Sequence, residues 1–509
     1  MRALHLNYHE ITEDPRVLKE CKALTERGVD VTVICALDQG QLEREQLGSL
    51  NIHRIPWMSI EFLTPEYLDE LYQFRRSEQL AKAYLEKLLP NAILFQKFKQ
   101  VLEKDNLEKL NPEQRYRQFS GIKRLFEKLR YKRDFRALLD EVCHDKSVST
   151  IERKLLEATL KMVLNEGMST PVASHQDVYQ SSAFLFDLNT KHLALEGTFD
   201  VVHAHDIYTL VAGVRLARKF GAKLIYDAHE YEPERASKMP PEGNGLADAI
   251  ELDCLENVDA VVTVSAGICE LYGKRFTKRE PVLIMNAPVI TASMPDDATL
   301  MEQKLAFRER LGLAPDTQLL AYTGWVLSEQ RGLAQVAKAL RMLPDMHLVI
   351  LGPRQARHDE ALMKIAQKEG VADRIHMLPP VAHFDVVPTI RACEISIIPF
   401  QDATLSYRFA MPNKLFEGVF SGLPVAVADL PDMKHFVESL GRGLAMDSTN
   451  PQSIAETIMK LHDQSDAYQL SRENFDDLVA KYSWTAQANR LFDLYQELVS
   501  TEPMPIGIN

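Results

Sequence analysis

The sequence predicts an α/β chain: two Rossmann-like, doubly wound parallel-sheet domains facing across a cleft, with a helical insertion in the first. Three observations predict it. Short apolar runs alternate with helical patterns at both ends of the 509-residue chain, a polar stretch separates the two series, and residues 60–195 carry few strand signals. At roughly 100–200 residues per domain, the length suits two or three domains.

Taken in order, Ala3–Leu6 reads as the first strand. Asp14-Pro15 has the form of an N-cap followed by proline at the first helical position. Val17, Leu18, Cys21 and Leu24 recur at helical spacing, and Gly28 stands where a helix-terminating glycine belongs. Val31–Ile34 is the next strand, and after a long interruption Val201–His205, Leu224–Tyr226, Ala260–Val264 and Val282–Met285 continue the series. Asn286-Ala287-Pro288 and Pro295-Asp296-Asp297 read as a linker. The second series is Gln318–Tyr322, His347–Leu351, Ile375–Leu378, Ile395–Pro399 and Val425–Ala428. Strands separated by helices imply sheets covered on both faces, with ligands beyond the carboxyl ends of the strands.

Composition excludes several classes. A net charge of −13 argues against a nucleic-acid surface. Six cysteines without a CxxC pair fit reduced, mostly buried thiols in a cytoplasmic protein, not a disulfide framework or zinc site. No signal-like apolar core or ~18-residue apolar run occurs, so secretion and membrane spanning are not expected. From Gln73 to Arg136, however, 17 Lys/Arg face 8 Asp/Glu. Phe119, Ile122, Leu125, Phe126, Leu129 and Phe135 interleave there with Lys123, Arg124, Lys128, Arg130, Lys132 and Arg133. Two readings stand: a helical insertion packing its apolar stripe on the main domain, or an amphipathic surface for anionic lipid or an anionic acceptor.

Three clusters carry chemistry. Phe199–Glu234 places His203, His205 and Asp206 after one strand and Asp227, His229 and Glu230 after the next. Such groups at a strand exit bind sugar hydroxyls, orient one another or help neutralise a phosphate. Structural histidines and metal ligation are the competing readings; His203 and His205 share a face by strand alternation, but the layout matches no zinc pattern. In Ala321–Leu333 a strand runs into Gly324, and Arg331-Gly332 precede a helix carrying Leu333, Val336, Ala337 and Leu340. A helix N-terminus plus a fixed guanidinium suits a diphosphate, although Arg-Gly is also a common turn. In Phe409–Asp429, Pro412-Asn413 opens a helix with Glu417 in its first turns, where a carboxylate can accept both ribose hydroxyls. Lys414 would meet phosphate there, or simply be an exposed lysine at a helix start.

ITEDPRVLKE, VHAHD, YDAHE, the G-x6-RG loop and PNKLFEGVFSGLPVAVAD, in that order, resemble the GT-B glycosyltransferases of the large retaining family 4. The resemblance covers the chain outside 60–195 and the extreme C-terminus. It implies an acceptor-side domain over 1–287, a nucleotide-sugar domain over 288–481, and C-terminal helices (482–509) that cross back. It implies catalytic roles for His229, Arg331 and Glu417, and donor contacts from Gly324, Arg331, Arg354, Leu378, Pro412, Asn413, Lys414 and Glu417. Acceptor-side groups would be His9, Asp14, His205, Asp206 and Glu230. The donor would be a UDP- or GDP-linked hexose bound without metal or other cofactor; the acceptor, a glycan, lipid-linked or protein hydroxyl. The setting would be cytoplasmic, with peripheral contact at the inner membrane face through the basic insertion.

The chain also departs from that pattern. Phe409 stands where many relatives have the first of two glutamates eight positions apart, Trp325 replaces an arginine after the loop glycine, and Tyr8-His9-Glu10 replaces a glycine-rich first loop. Arg331 stands for the usual lysine and must carry more of the diphosphate charge. The alternatives are a non-catalytic nucleotide-sugar-binding scaffold, a GT-B epimerase, and transfer with inversion using Asp206 or Glu230 as base.

Overall fold

The computed structural model describes residues 1–37, 41–56, 186–187, 190, 193–235, 251–291, 293–326, 329–468 and 470–500. The basic segment 73–136, with the interleaved aromatic and basic side chains at 119–136, lies outside the described residues, as does most of the 60–195 insertion.

The chain forms two compact units: Met1–Ala228 with Lys238–Val261 and Leu498–Asn509, and His229–Ser237 with Val262–Glu497. In the first unit β1 (Arg2–Leu6), β2 (Asp30–Leu37), β4 (Leu50–Pro56), β5 (Val201–His205) and β6 (Lys223–Ala228) are parallel, and β3 (Arg44–Leu47) pairs antiparallel with β4. The sheet order is β3-β4-β2-β1-β5-β6, continuing through β7 (Ala260–Thr263) and β8 (Val282–Leu283), with the division between units falling inside β7. Ala3, Leu4, Val31, Val33, Val201 and Leu224 are all wholly buried, as a sheet covered on both faces requires. Strands β3 and β4 have no counterpart in the sequence reading, because REQL and LNIHRIP carry too few consecutive apolar residues to stand out.

Helix α1 (Pro15–Glu26) starts as predicted: Asp14 Oδ1 accepts hydrogen bonds from the amides of Arg16 and Val17, each at 3.2 Å. Its buried face holds Val17, Cys21 and Leu24, but also Arg16 and Glu20. Helix α2 (Asp206–Phe220) follows β5 without a loop, and the sharp turn forces Asp206 to φ +59°, the left-handed region that side chains rarely adopt.

The second unit holds a six-stranded parallel sheet, β9 (Gln318–Thr323), β10 (Met346–Leu351), β11 (Ile375–Leu378), β12 (Ile395–Ile398), β13 (Val425–Ala428) and β14 (Gly443–Met446), in the order β11-β10-β9-β12-β13-β14. Counted along the chain this is the 3-2-1-4-5-6 doubly wound order, so strand direction of travel reverses between β9 and β12. Helices α3 (Ala266–Gly273), α4 (Asp297–Leu311), α5 (Leu333–Ala339), α6 (Ala356–Glu369) and α7 (Asn413–Phe420) belong to this unit. Helix α7 buries Leu415, Phe416, Val419 and Phe420 against Ile398, Val425 and Val427. Gly418 permits that approach, since a Cβ there would lie 2.6 Å from Ser396 Oγ.

The expected linker is partly structure. Asp296 caps α4 by accepting from the Thr299 amide at 2.8 Å, and Ala287 is wholly buried in the core around α7. Pro288 accepts a backbone hydrogen bond from Trp484 at 3.1 Å, at the start of α8 (Trp484–Ser500). Among the described cysteines, Cys21, Cys35, Cys254 and Cys393 are buried and Cys269 half-buried.

Candidate active site

The reversal between β9 and β12 is where a doubly wound sheet leaves a crevice for a ligand. Gly324 follows β9 at φ +100°, and a Cβ there would come within 3.4 Å of Lys414 Nζ. Gly352 follows β10 against it; a Cβ would stand 2.6 Å from the Gly324 carbonyl oxygen. Gly332, at φ +71°, presses on the end of β12, where a side chain would run into the Pro399 carbonyl. Glycine is therefore required at 324 by conformation, and at 332 by conformation and space together.

Two cations meet at this point. Arg331 Cζ lies 4.6 Å from the Phe400 ring centroid and 5.7 Å from that of Tyr407. Lys414 Nζ lies 5.0 Å from the same Phe400 centroid and 4.9 Å from that of Tyr322. Phe400 itself is 2% exposed. Among the described residues neither cation has a carboxylate within salt-bridge distance. Lys414 is half-buried, correcting the expectation of an exposed lysine; its ammonium is lowered from the ordinary lysine value to about 7, by burial first and then by Arg331, against the opposing pull of Glu417. Burial pushes the Tyr322 phenol up to about 12, so it supplies no negative charge. Two basic side chains held over aromatic rings, with no carboxylate within salt-bridge distance among the described residues, are an arrangement that suits an anionic ligand.

Glu417 lies on α7 one turn beyond Lys414 and accepts a 2.5 Å hydrogen bond from the Thr323 hydroxyl at the end of β9. Pro412 precedes α7 in extended conformation, its carbonyl accepting from the Leu415 amide at 2.9 Å, and Asn413 is the half-buried first residue of the helix. Gly324, Arg331, Pro412, Asn413, Lys414 and Glu417 thus come together. The other two expected donor residues, Arg354 and Leu378, have protein partners of their own. Arg354 pairs with Asp359 at 3.0 Å and donates to Met377 Sδ, while the Leu378 carbonyl accepts from the Gly352 amide at 3.3 Å.

His229 and Glu230 belong to this same unit, on a segment fixed by reciprocal hydrogen bonds. The Tyr231 amide donates to Ser406 Oγ at 2.8 Å, and Ser406 Oγ–H donates to the Tyr231 carbonyl at 3.0 Å. Tyr407, next along the chain, carries one of the rings against Arg331. Glu230 forms an ion pair with Arg235 at 3.2 Å. Phe409, where the resemblance implied a glutamate, packs its ring on Gly267 at the start of α3, whose amide donates to Asp432 at 2.8 Å. Trp325 is 41% exposed, its carbonyl accepting from the Tyr322 hydroxyl at 3.0 Å. The sequence offered no direct signal for Phe400, Tyr322 or Tyr407; each reads as an ordinary core aromatic at a strand end or short helix.

The first unit has its own polar cluster at its own reversal, between β1 and β5. His5 pairs in register with His203, and His205 with Asp227, so all four lie on one sheet face under Arg16 and Glu20 of α1. Arg16 grips Asp227 through three contacts of 2.9–3.1 Å and Glu20 at 3.1 Å. His5 Nδ1 and His205 Nε2 are 3.0 Å apart, and the His203 and His205 rings stack at 4.3 Å. Burial, then the neighbouring His205, holds His5 and His203 well below the usual histidine range. The donor atoms of His5, Glu20, His203 and His205 lie within 4.8 Å of one another, close enough to ligate a metal. The Arg16 guanidinium, 3.1 Å from Glu20, already supplies positive charge there, and the arrangement is that of a buried charge network. Arg16 and Glu20 were missed as members, though their i, i+4 placement on the Val17–Cys21–Leu24 stripe was the signal. His205 and Asp206 face the interior of this unit, Asp14 is spent as a helix cap, and His9 is exposed.

No helix among the described residues is long and apolar enough to cross a membrane. The profile described as "Glycosyl transferases group 1" matches residues 303–476, and that of the "Glycosyl transferase 4-like domain" matches 154–287. The D-inositol 3-phosphate glycosyltransferase of Thermobispora bispora is 23% identical over 341 residues, covering 63% of this chain and 76% of its own. The alpha-maltose-1-phosphate synthase of Mycolicibacterium smegmatis is 25% identical over 332 residues, covering 61% and 82%. Among solved structures, sucrose-phosphate synthase from Thermosynechococcus elongatus shares the fold at a TM-score of 0.59 and 14% identity, over 98% of this chain and 99% of that one. The chain therefore belongs to the group 1 glycosyl transferases, the retaining family 4 with the GT-B fold, enzymes that take their sugar from a nucleotide donor.

Proposed function

We propose that this enzyme holds the diphosphate of a UDP- or GDP-linked hexose on Arg331 and Lys414 and the donor ribose on Glu417, and passes the hexose to an acceptor hydroxyl. One observation carries the reading: two cations without a carboxylate partner among the described residues stand where the sheet order reverses, with a carboxylate one helical turn away. Charge that builds on the departing diphosphate is offset by fixed positive groups in a low-dielectric site, which accounts for much of the rate in this class of reaction. With retention, the leaving phosphate oxygen takes the acceptor proton as the hydroxyl adds on the same face. His229 would touch the donor sugar, and Asn413 with nearby backbone amides would replace the glutamate that Phe409 displaces.

In this reading residues 1–287 serve the acceptor, with His9 and Glu230 as acceptor-side groups and Asp14, His205 and Asp206 supporting the framework. Residues 288–481 serve the donor, and 482–509 cross back. The acceptor is a glycan, a lipid-linked sugar or a protein, and the basic insertion would bring the enzyme to an anionic membrane face in the cytoplasm. A thermal-shift panel of UDP-, GDP- and ADP-sugars tests the donor assignment, because a ligand that binds only the folded state raises Tm. A shift with a uridine or guanosine donor, followed by an axial anomeric product by NMR, supports it. No shift with any nucleotide sugar overturns it.

A further inference from the structure

Resting on the donor reading above, we propose that Phe400 is a positioning residue, the platform that holds Arg331 and Lys414 as a two-cation clamp completed only when the diphosphate arrives. Its ring is within 5.0 Å of both charges, it is almost fully buried, and it stands at the end of β12, directly across the sheet reversal from the loop that carries Arg331. Tyr407 and Tyr322 extend the platform, one toward each cation. An aromatic face attracts a cation without neutralising it, so both donors keep their hydrogen-bonding capacity for a ligand. A carboxylate in the same place would lock the two side chains but cancel the field that the phosphates need.

The charge balance around Lys414 gives the clamp a second property. It faces Arg331 from the loop after β9, Tyr322 from β9, Phe400 from beyond β12 and Glu417 from its own helix. Burial first, and then repulsion from Arg331, shift Lys414 toward the neutral amine in the empty site, and Glu417 only partly opposes them. The diphosphate of a nucleotide sugar is a diester, already fully ionised at neutral pH. Its two negative charges reverse the balance and draw a proton onto Lys414. Donor binding and proton uptake are then linked, and binding weakens as pH rises above neutrality.

Calorimetric titration of the full-length enzyme with UDP-glucose and GDP-mannose, in two buffers of different ionisation enthalpy between pH 7 and 9, reads this directly. Uptake of about one proton per donor at pH 8 is expected, with Kd rising close to tenfold from pH 8 to 9. Lys414→Met abolishes the uptake and flattens the pH profile. Phe400→Leu weakens donor binding about tenfold and blunts the uptake, and Phe400→Tyr restores both. Wild-type binding without proton uptake, or a folded Phe400→Leu enzyme with wild-type affinity and uptake, overturns the clamp while leaving the donor site in place. Failure of the wild type to bind either donor overturns the donor reading itself. Should Phe400→Leu fail to fold, wild-type uptake and its loss in Lys414→Met still decide the charge step, and Phe400→Tyr at wild-type affinity and uptake upholds the platform.

Discussion

The two sheets each place a polar cluster at the point where strand order reverses, and the clusters are completed differently. In the first unit Arg16 is saturated by Asp227 and Glu20, three histidines fill the remaining space, and the whole group is buried. In the second, Arg331 and Lys414 rest on aromatic rings with no carboxylate partner among the described residues. A charge that has found its counterion inside the fold contributes to structure, whereas a charge held in place without one is available to a ligand. Position at the reversal does not by itself separate the two; the counterion does.

The largest expected effect sharpens that contrast on the structural side. Arg16→Met leaves Asp227 and Glu20 buried without their cation and should cost about 3–5 kcal/mol in chemical denaturation, the usual loss on removing one partner of a buried pair. A variant as stable as the wild type would break the comparison. On the ligand side, Arg331→Ala should lower turnover ~10²-fold or more with Tm nearly unchanged, and Glu417→Ala and His229→Ala similarly. Smaller again, Thr323→Val removes the hydroxyl that orients Glu417 and should raise the donor KM about tenfold, measured by initial rates.

A further effect is set by pH. His5 and His203 are held neutral in the fold, below the value near 6.5 that they take when unfolded. Below that pH the unfolded chain binds protons the native state refuses, so stability falls as pH drops, by up to about 1 kcal/mol per pH unit for each histidine. Denaturation at pH 7.5 and 5.5 should show this loss, and His5→Gln should flatten the slope.

Much of this was legible in the residues. Apolar runs located most strands; Val425–Ala428 matches to the residue because a strand buried on both faces must be continuously apolar, and Ile375–Leu378 matches too, although it is a half-buried edge strand carrying His376. Asp14, Gly28 and Gly324 were readable because each does something only a few residue types can do. Strands β3, β4 and β14 were not, since REQL, LNIHRIP and GLAM mix apolar residues with polar ones or glycine and form no continuous apolar run. Arg331, Lys414 and Glu417 could be singled out by motif spacing, but Phe400 could not. Its role arises from β12 and the loop after β9 meeting in space, which no local window contains. The capture of Arg354 by Asp359, five residues on, was hidden for the opposite reason: a local pair does not show whether a ligand or a neighbour takes the charge.

The most direct measurement is a crystal structure of the enzyme bound to the nucleotide sugar that stabilises it most. The account predicts diphosphate oxygens within hydrogen-bond reach of the Arg331 guanidinium and Lys414 Nζ, with the ribose hydroxyls on Glu417. A diphosphate bound away from both cations, or an Arg331 side chain turned out to solvent in the complex, would contradict it.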